Sequence, residues 1–223
     1  LYSERSLHDQ VKRLLAGSGD RLEAAVGGRV VDLLRADGQA VEVQTRHLYA
    51  LLPKVRALAG EGIRVRVVYP IAETLVIRRR DPETGRIVST RTSPRHGDLW
   101  SIFDELVKAP GLIALPGVAV EALLIRASEV RVRDGTGSWR RRGDRTEDRF
   151  LEEVVGTASW ETRDEWLGLI PPDLPKPWNS ESVGGALGIA PIRARKVLYS
   201  LARAGLLREE GRAGRRKLWA VNC

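Results

Sequence analysis

The chain has 223 residues, a formal charge of +8 and a hydrophobic fraction of 43%. That length allows one large domain or two small ones, and the hydrophobicity is too high for a disordered chain. A single cysteine, Cys223, excludes an internal disulfide framework and any multi-cysteine zinc site. No run of about 18 apolar residues suggests a membrane span, and the first residues lack a signal-peptide pattern. A soluble, cytoplasmic protein with no membrane partner is expected.

In chain order, the first expected element is a helix over residues 6–16, with Leu7, Val11, Leu14 and Leu15 at helical spacing. Three strand-like runs follow, 21–26, 29–35 and 39–44. Gly27-Gly28 and Asp37-Gly38 between them are hairpin signals. A helix over 51–59 tolerates Pro53 only in its first turn. Residues 63–69 read as a strand that Pro70 ends, and 74–80 and 86–92 as a hairpin around 81–85. Residues 99–107 are helical. Residues 118–132 fit a strand or a helix, since Glu121-Ala122-Leu123-Leu124-Ile125 suits either. Weak helical patterns occupy 150–155 and 164–169. The expected class is α/β (α+β), a mixed sheet flanked by helices.

Alternation along 41–44 places Glu42 and Gln44 on one strand face and Val41 and Val43 on the other. If the strand holding Asp32 pairs antiparallel with this one through Asp37-Gly38, the Asp32 and Glu42 carboxylates converge at one sheet end. Two carboxylates in an apolar sheet are costly unless compensated. A hard divalent cation compensates them, and Mg²⁺ needs only one or two carboxylates beside its waters. The plain alternative is two solvent-facing acids on a half-exposed sheet. Glu23 is a further acid in the same sheet. His8, His47 and His96 lack ligand spacing and are expected at the surface.

These residues resemble the PD-(D/E)XK nuclease superfamily over roughly residues 1–70. The likeness rests on the helix-strand-strand-strand-helix order and on Asp32 followed, after a nine-residue spacer, by Glu42-Val43-Gln44. Ser3-Glu4-Arg5-Ser6-Leu7 is similar to the start of archaeal Holliday-junction resolvases. The resemblance implies a restriction-endonuclease-like fold. It implies a Mg²⁺ or Mn²⁺ site at Glu4, Asp32 and Glu42, with the Val43 carbonyl as a further ligand. Gln44 stands where the family carries lysine, so a cation from elsewhere would substitute. Lys54 is the candidate, with Arg46 and His47 nearer in sequence. Glu4 also suits a plain helix start, where the dipole favours an acid.

A second basic zone spans residues 126–145. Its centre holds Trp139, Arg140, Arg141 and Arg142 between glycines, a composition suited to tracking a nucleic-acid backbone with Trp139 stacked on a base. A surface hairpin with Trp139 folded onto the core is the alternative. The run 171–177, with four prolines, reads as a stiff linker. Residues 1–170 form the expected first domain, with a core at 1–70 and an extension at 71–170. Residues 178–223 form the second.

From Leu174 onward ten basic and three acidic side chains hold a surplus of seven positive charges, nearly the whole net charge. Such concentration is the footprint of a polyanion binder. Asn179 or Ser180 is expected to cap a helix that Gly188 ends, and Pro191 to open a second. Two short strands around the tip 211–216 complete the segment. Over 178–221 the pattern resembles a winged helix-turn-helix. That implies DNA contacts from Arg193, Lys196, Ser200 and Arg203 on the recognition helix, and from Arg212, Arg215, Arg216 and Lys217 on the wing. The combined expectation is a metal-dependent DNA endonuclease, a homodimer by analogy with resolvases. The alternatives are a non-catalytic DNA-binding regulator with a decayed nuclease domain, and a protein–protein adaptor.

Overall fold

The structure is a computed structural model that describes residues 5–137 and 143–222. It opens with α1 (Arg5–Leu15), β1 (Arg21–Val26), β2 (Arg29–Leu34) and β3 (Ala40–Val43), then α2 (Leu52–Gly60). The long strands β4 (Val65–Arg80), β6 (Val118–Arg133) and β7 (Asp144–Trp160) carry the middle of the chain, with β5 (Ile87–Thr92) beside β4. Short helices α3 (Phe103–Leu106) and α4 (Gly111–Ala114) precede β6, and α5 (Arg163–Leu167) follows β7. The chain ends in α6 (Ser180–Leu187), α7 (Pro191–Arg203), β8 (Leu207–Ala213) and β9 (Arg216–Val221).

Among the described residues seven strands form one mixed sheet, ordered β1-β2-β3-β4-β6-β7 with β5 on β4, and β8 and β9 form a separate hairpin. β1, β2 and β3 run antiparallel in sequence, whereas β3 pairs parallel with β4 and β4 with β6. The fold is therefore mixed α+β, as the sequence implies. Glycines at positive φ, such as Gly27 and Gly28, make the tight turn between β1 and β2.

Two readings are corrected and one left open is settled. Pro70 does not end its strand. It lies between the stretches of β4 that pair with β3 and with β5, so its missing N–H breaks no ladder on that edge. Residues 118–132 form a strand, because β4 and β7 flank them on both sides. Residues 150–155 lie inside β7, not in a helix. Their alternation is set by cross-strand charge pairs such as Arg126 Nη1 to Glu153 Oε2 at 2.6 Å.

The sheet is covered on both faces. α1 lays Leu7 and Val11 on Leu33, Val41, Val43, Val68 and Leu123. The opposite face, built on Val31, Val65, Val67 and Val120, packs against Val55 and Leu58 of α2 and Phe103 and Leu106 of α3. That cluster continues without a break through Trp166 and Trp178 to Val197, Leu198 and Leu201 of α7. Residues 171–177 were expected to separate two modules; instead Ile170 and Trp178, on either side of them, are buried in one core. Asn179 caps α6, its Oδ1 accepting from the Glu181 and Ser182 amides, and Gly188 ends that helix at φ 64°. Among the described residues no helix is long and apolar enough to cross a membrane.

A shared core predicts one unfolding transition. Leu201→Ala removes a fully buried side chain and should cost about 3 kcal/mol. Urea unfolding followed by far-UV circular dichroism should shift as a whole. A separate early phase with the main transition unmoved would show two independent units.

Candidate functional site

β2 changes its side-chain phase at Asp32. Val31 points into the α2 face, while Leu33 points into the α1 face. Opposite, Glu23 adopts a left-handed φ of 49°, a conformation that costs a non-glycine residue about 1–2 kcal/mol. The switch leaves the Asp32 side chain between the layers. Its Oδ2 accepts from the Val43 amide at 2.8 Å and lies 3.2 Å from His8 Nε2 of α1.

Glu42, only 2% exposed, lies on the α2 side of β3. Its Oε1 is 2.5 Å from Lys54 Nζ, reached from the first turn of α2. Of the expected site residues, Glu42 and Lys54 form an ion pair, and Asp32 lies near enough to act on the Glu42 carboxyl. Two expected contributions differ. Gln44 turns its amide back to donate to the Arg46 carbonyl. Val43 supplies its N–H to Asp32. Glu4 lies outside the described residues. His8, expected at the surface, is a half-buried neighbour of Asp32.

The electrostatics are uneven. Burial disfavours the Asp32 charge, but the His8 and Val43 donors outweigh it and hold that carboxyl below its usual range. The Asp32 hydrogen bond raises the His8 imidazole, against burial. Burial pushes the Glu42 carboxyl up; the Lys54 bond opposes, and the neighbouring Asp32 charge pushes further, leaving it above its usual range. The cluster is thus short of positive charge even with Lys54 in place. Among the described residues no three carboxylate, imidazole or thiolate groups gather as a ligand set.

The basic surfaces are rearranged relative to expectation. On α7, Arg193 binds Asp98 and donates to Ser101 Oγ at 3.0 Å, and Lys196 Nζ is 2.6 Å from Asp104. Ser200 is fully buried. These three face the rest of the protein, not a groove of DNA. Arg203 is exposed, and the same open face carries Ile192, Arg195 and Tyr199. Arg195 and Tyr199 were missed because the contacts of Arg193 and Lys196 with Asp98, Ser101 and Asp104, distant in sequence, decide which face of α7 is open. On the hairpin, Lys217 and Arg212 reach Glu209 at 2.6 and 3.3 Å, and Arg216 binds Glu181. Among the described residues Arg195, Arg203 and Arg215 make no ion pair. A cavity of about 370 Å³ between α6, α7 and the hairpin is lined by Arg195, Tyr199, Arg215, Arg216, Lys217 and Trp219. In the second zone Arg126, Arg131, Arg133, Arg145 and Arg149 are all paired with carboxylates. Trp139, Arg140, Arg141 and Arg142 lie outside the described residues.

A raised carboxyl pKa means that the folded state binds its proton more tightly than the unfolded chain, so stability falls as pH rises through that range. Glu42→Gln should remove this loss and keep or raise the urea midpoint at pH 7. Lys54→Ala should lower stability by about 3 kcal/mol, because it strands a buried charge. A large loss of stability in Glu42→Gln would show that the charge is well compensated.

A family model described as "Domain of unknown function (DUF8091)" matches residues 5–161, and the chain belongs to that family. An uncharacterized protein of Treponema pallidum (strain Nichols) is 28% identical over 216 residues, covering 97% of this chain and 84% of that protein. That likeness takes in most of the basic C-terminal segment. No solved structure matches the chain.

Proposed function

We propose that this member of the family is a metal-dependent DNA endonuclease of the PD-(D/E)XK kind, with Mg²⁺ or Mn²⁺ at Asp32 and Glu42. The observation that carries the reading is the buried Glu42–Lys54 pair of β3 and α2, with the Asp32 carboxylate of β2 close enough to act on Glu42. Support comes from the topology, a helix, three antiparallel strands, a helix and a parallel strand, sandwiched between helices. The residues α6, α7, β8 and β9 have the order of a winged helix-turn-helix, and their cavity offers guanidinium groups beside Tyr199 and Trp219.

A cation held by the two carboxylates would lower the pKa of a bound water and stabilise charge on an attacked phosphodiester. The chain's own residues do the rest. Lys54 sits where a cation can stabilise negative charge near Glu42, the role left vacant by Gln44. His8 and the Val43 amide keep Asp32 ionised and fixed in orientation. The apolar α1 layer, with Leu7 and Val11 beside the cluster, limits water on that side.

A plasmid-nicking assay with Mg²⁺ or Mn²⁺ tests the reading. Asp32→Ala and Glu42→Ala should abolish nicking, and Lys54→Ala should slow it roughly 10²–10³-fold, the usual loss for one charge-stabilising group. Equal nicking by all the proteins would remove the catalytic claim. A second reading, a DNA-binding protein without catalysis, is favoured by one feature: Glu42 is already ion-paired and Gln44 is turned away.

Binding of duplex DNA distinguishes the surfaces. Arg195→Ala and Arg215→Ala should each lower the salt slope of log affinity by about 0.9, as one lost phosphate contact does. Arg193→Ala, whose partner is Asp98, should leave the slope unchanged. The reverse pattern would restore the recognition face expected from sequence.

A further inference from the structure

Some distance from the carboxylate cluster, a cleft of about 520 Å³ opens beside β4, between the loop 93–97 and α7. Ser93, Arg95, His96, Arg131, Arg149 and Arg193 line it. Glu42 pairs with Val67 in register, and the cleft begins at Ala72 and Leu75 on the same strand. Ala72 and Leu75 lie five and eight residues beyond Val67, which places the cleft roughly 16–26 Å from Glu42 along β4 at about 3.3 Å per residue.

The wall is fixed in place. Loop 93–97 fills the edge of β4 left open between β3 and β5. The Ser93 amide donates to Leu75 O at 2.8 Å, and the Gly97 amide to Ala72 O at 2.9 Å. His96 Nδ1 lies 3.0 Å from the Glu73 carbonyl. A Cβ at Gly97 would fall 2.7 Å from the Ala72 carbonyl oxygen and 2.6 Å from Ile71, so only glycine lets the loop approach this closely. Arg95 is therefore presented from a stapled segment, not a loose one.

The charges do not balance. Behind the lining, fully buried Glu129 accepts from Arg131 and from Arg149 Nε, the latter at 2.6 Å. One carboxylate thus orients two guanidinium groups. Arg193 is matched by Asp98, and Asp104, the one acidic residue on the lining, is matched by Lys196. Among the described residues Arg95 has no ion pair. Its unmatched charge shares one concave place with three guanidinium groups that are already positioned. Guanidinium groups fixed in this way suit bidentate binding of a phosphate.

We infer that this cleft binds a phosphomonoester dianion. Such a group comes from a strand end of nucleic acid or from free inorganic phosphate. The strand-end source rests on the proposed nucleic-acid function; the phosphate chemistry does not.

Both sources are tested without divalent cation, so that the result is independent of nicking. In one arm, fluorescence anisotropy compares a short single-stranded DNA with and without a 5′-phosphate. In the other, inorganic phosphate is tested for a rise in Tm at constant ionic strength. Binding about tenfold tighter for the phosphorylated strand is expected, the scale of one charge-assisted contact. Arg95→Ala, on an exposed loop position, should erase the preference. Arg215→Ala should weaken both strands equally and leave the preference intact. A phosphate-dependent Tm rise that Arg95→Ala removes, with no strand preference, would support the site and identify free phosphate as its ligand. No preference and no rise, or effects that Arg95→Ala leaves unchanged, would overturn it. Phosphate binding in a protein that fails to nick would separate this site's success from the failure of the nuclease reading.

Discussion

A buried carboxylate, Glu42, and a partly buried one, Asp32, on neighbouring strands set the problem that the N-terminal layers solve. Asp32 and Glu42 cannot both carry charge inside a sheet without donors and cations around them. Each surrounding element supplies one. α1 brings His8, β3 brings the Val43 amide, and α2 brings Lys54. The compensation is complete for Asp32 and incomplete for Glu42. An apolar pair of similar volume would make a more stable sheet, since a buried ion pair seldom gains over well-packed hydrophobes. Retaining the charges is a loss of stability at one place, the kind of loss that the proposed chemistry would require.

The C-terminal module is held by a different logic. Its helix α7 shares the core of the sheet through Val197, Leu198 and Leu201, and its flank is registered by Arg193 and Lys196 against Asp98 and Asp104. Both pairs are at least partly exposed and add little free energy, but they fix which face of α7 turns outward. The outward face carries Arg195, Tyr199 and Arg203. The docking also brings Arg193 over the loop 93–97, so the cleft beside β4 is closed on one side only when the module is in place.

The sequence carried much of this in its local patterns. Glycine turns and two-residue alternation marked β1, β2 and β3, and the facing of Glu42 toward α2 follows from that alternation. Lys54 was accessible as a cation one element later. Other features depend on partners distant in sequence. β6 becomes a strand because β4 lies beside it, and β7 because β6 does, a constraint that neither 118–132 nor 150–155 contains. Pro70 breaks nothing because β3 ends and β5 has not begun. Helical spacing identified the buried stripe of α7, but not that Asp98 and Asp104 would turn Arg193 and Lys196 inward. His8 gave no signal until α1 was laid across Asp32.

The central claim is that Asp32 and Glu42 form a cation site. Titration calorimetry with Mn²⁺ on the intact protein addresses it directly, comparing wild type with Asp32→Asn, a change that keeps shape and removes charge. The account predicts about one Mn²⁺ per wild-type chain and none in the variant. Silent titrations for both proteins, or equal binding by both, would contradict it.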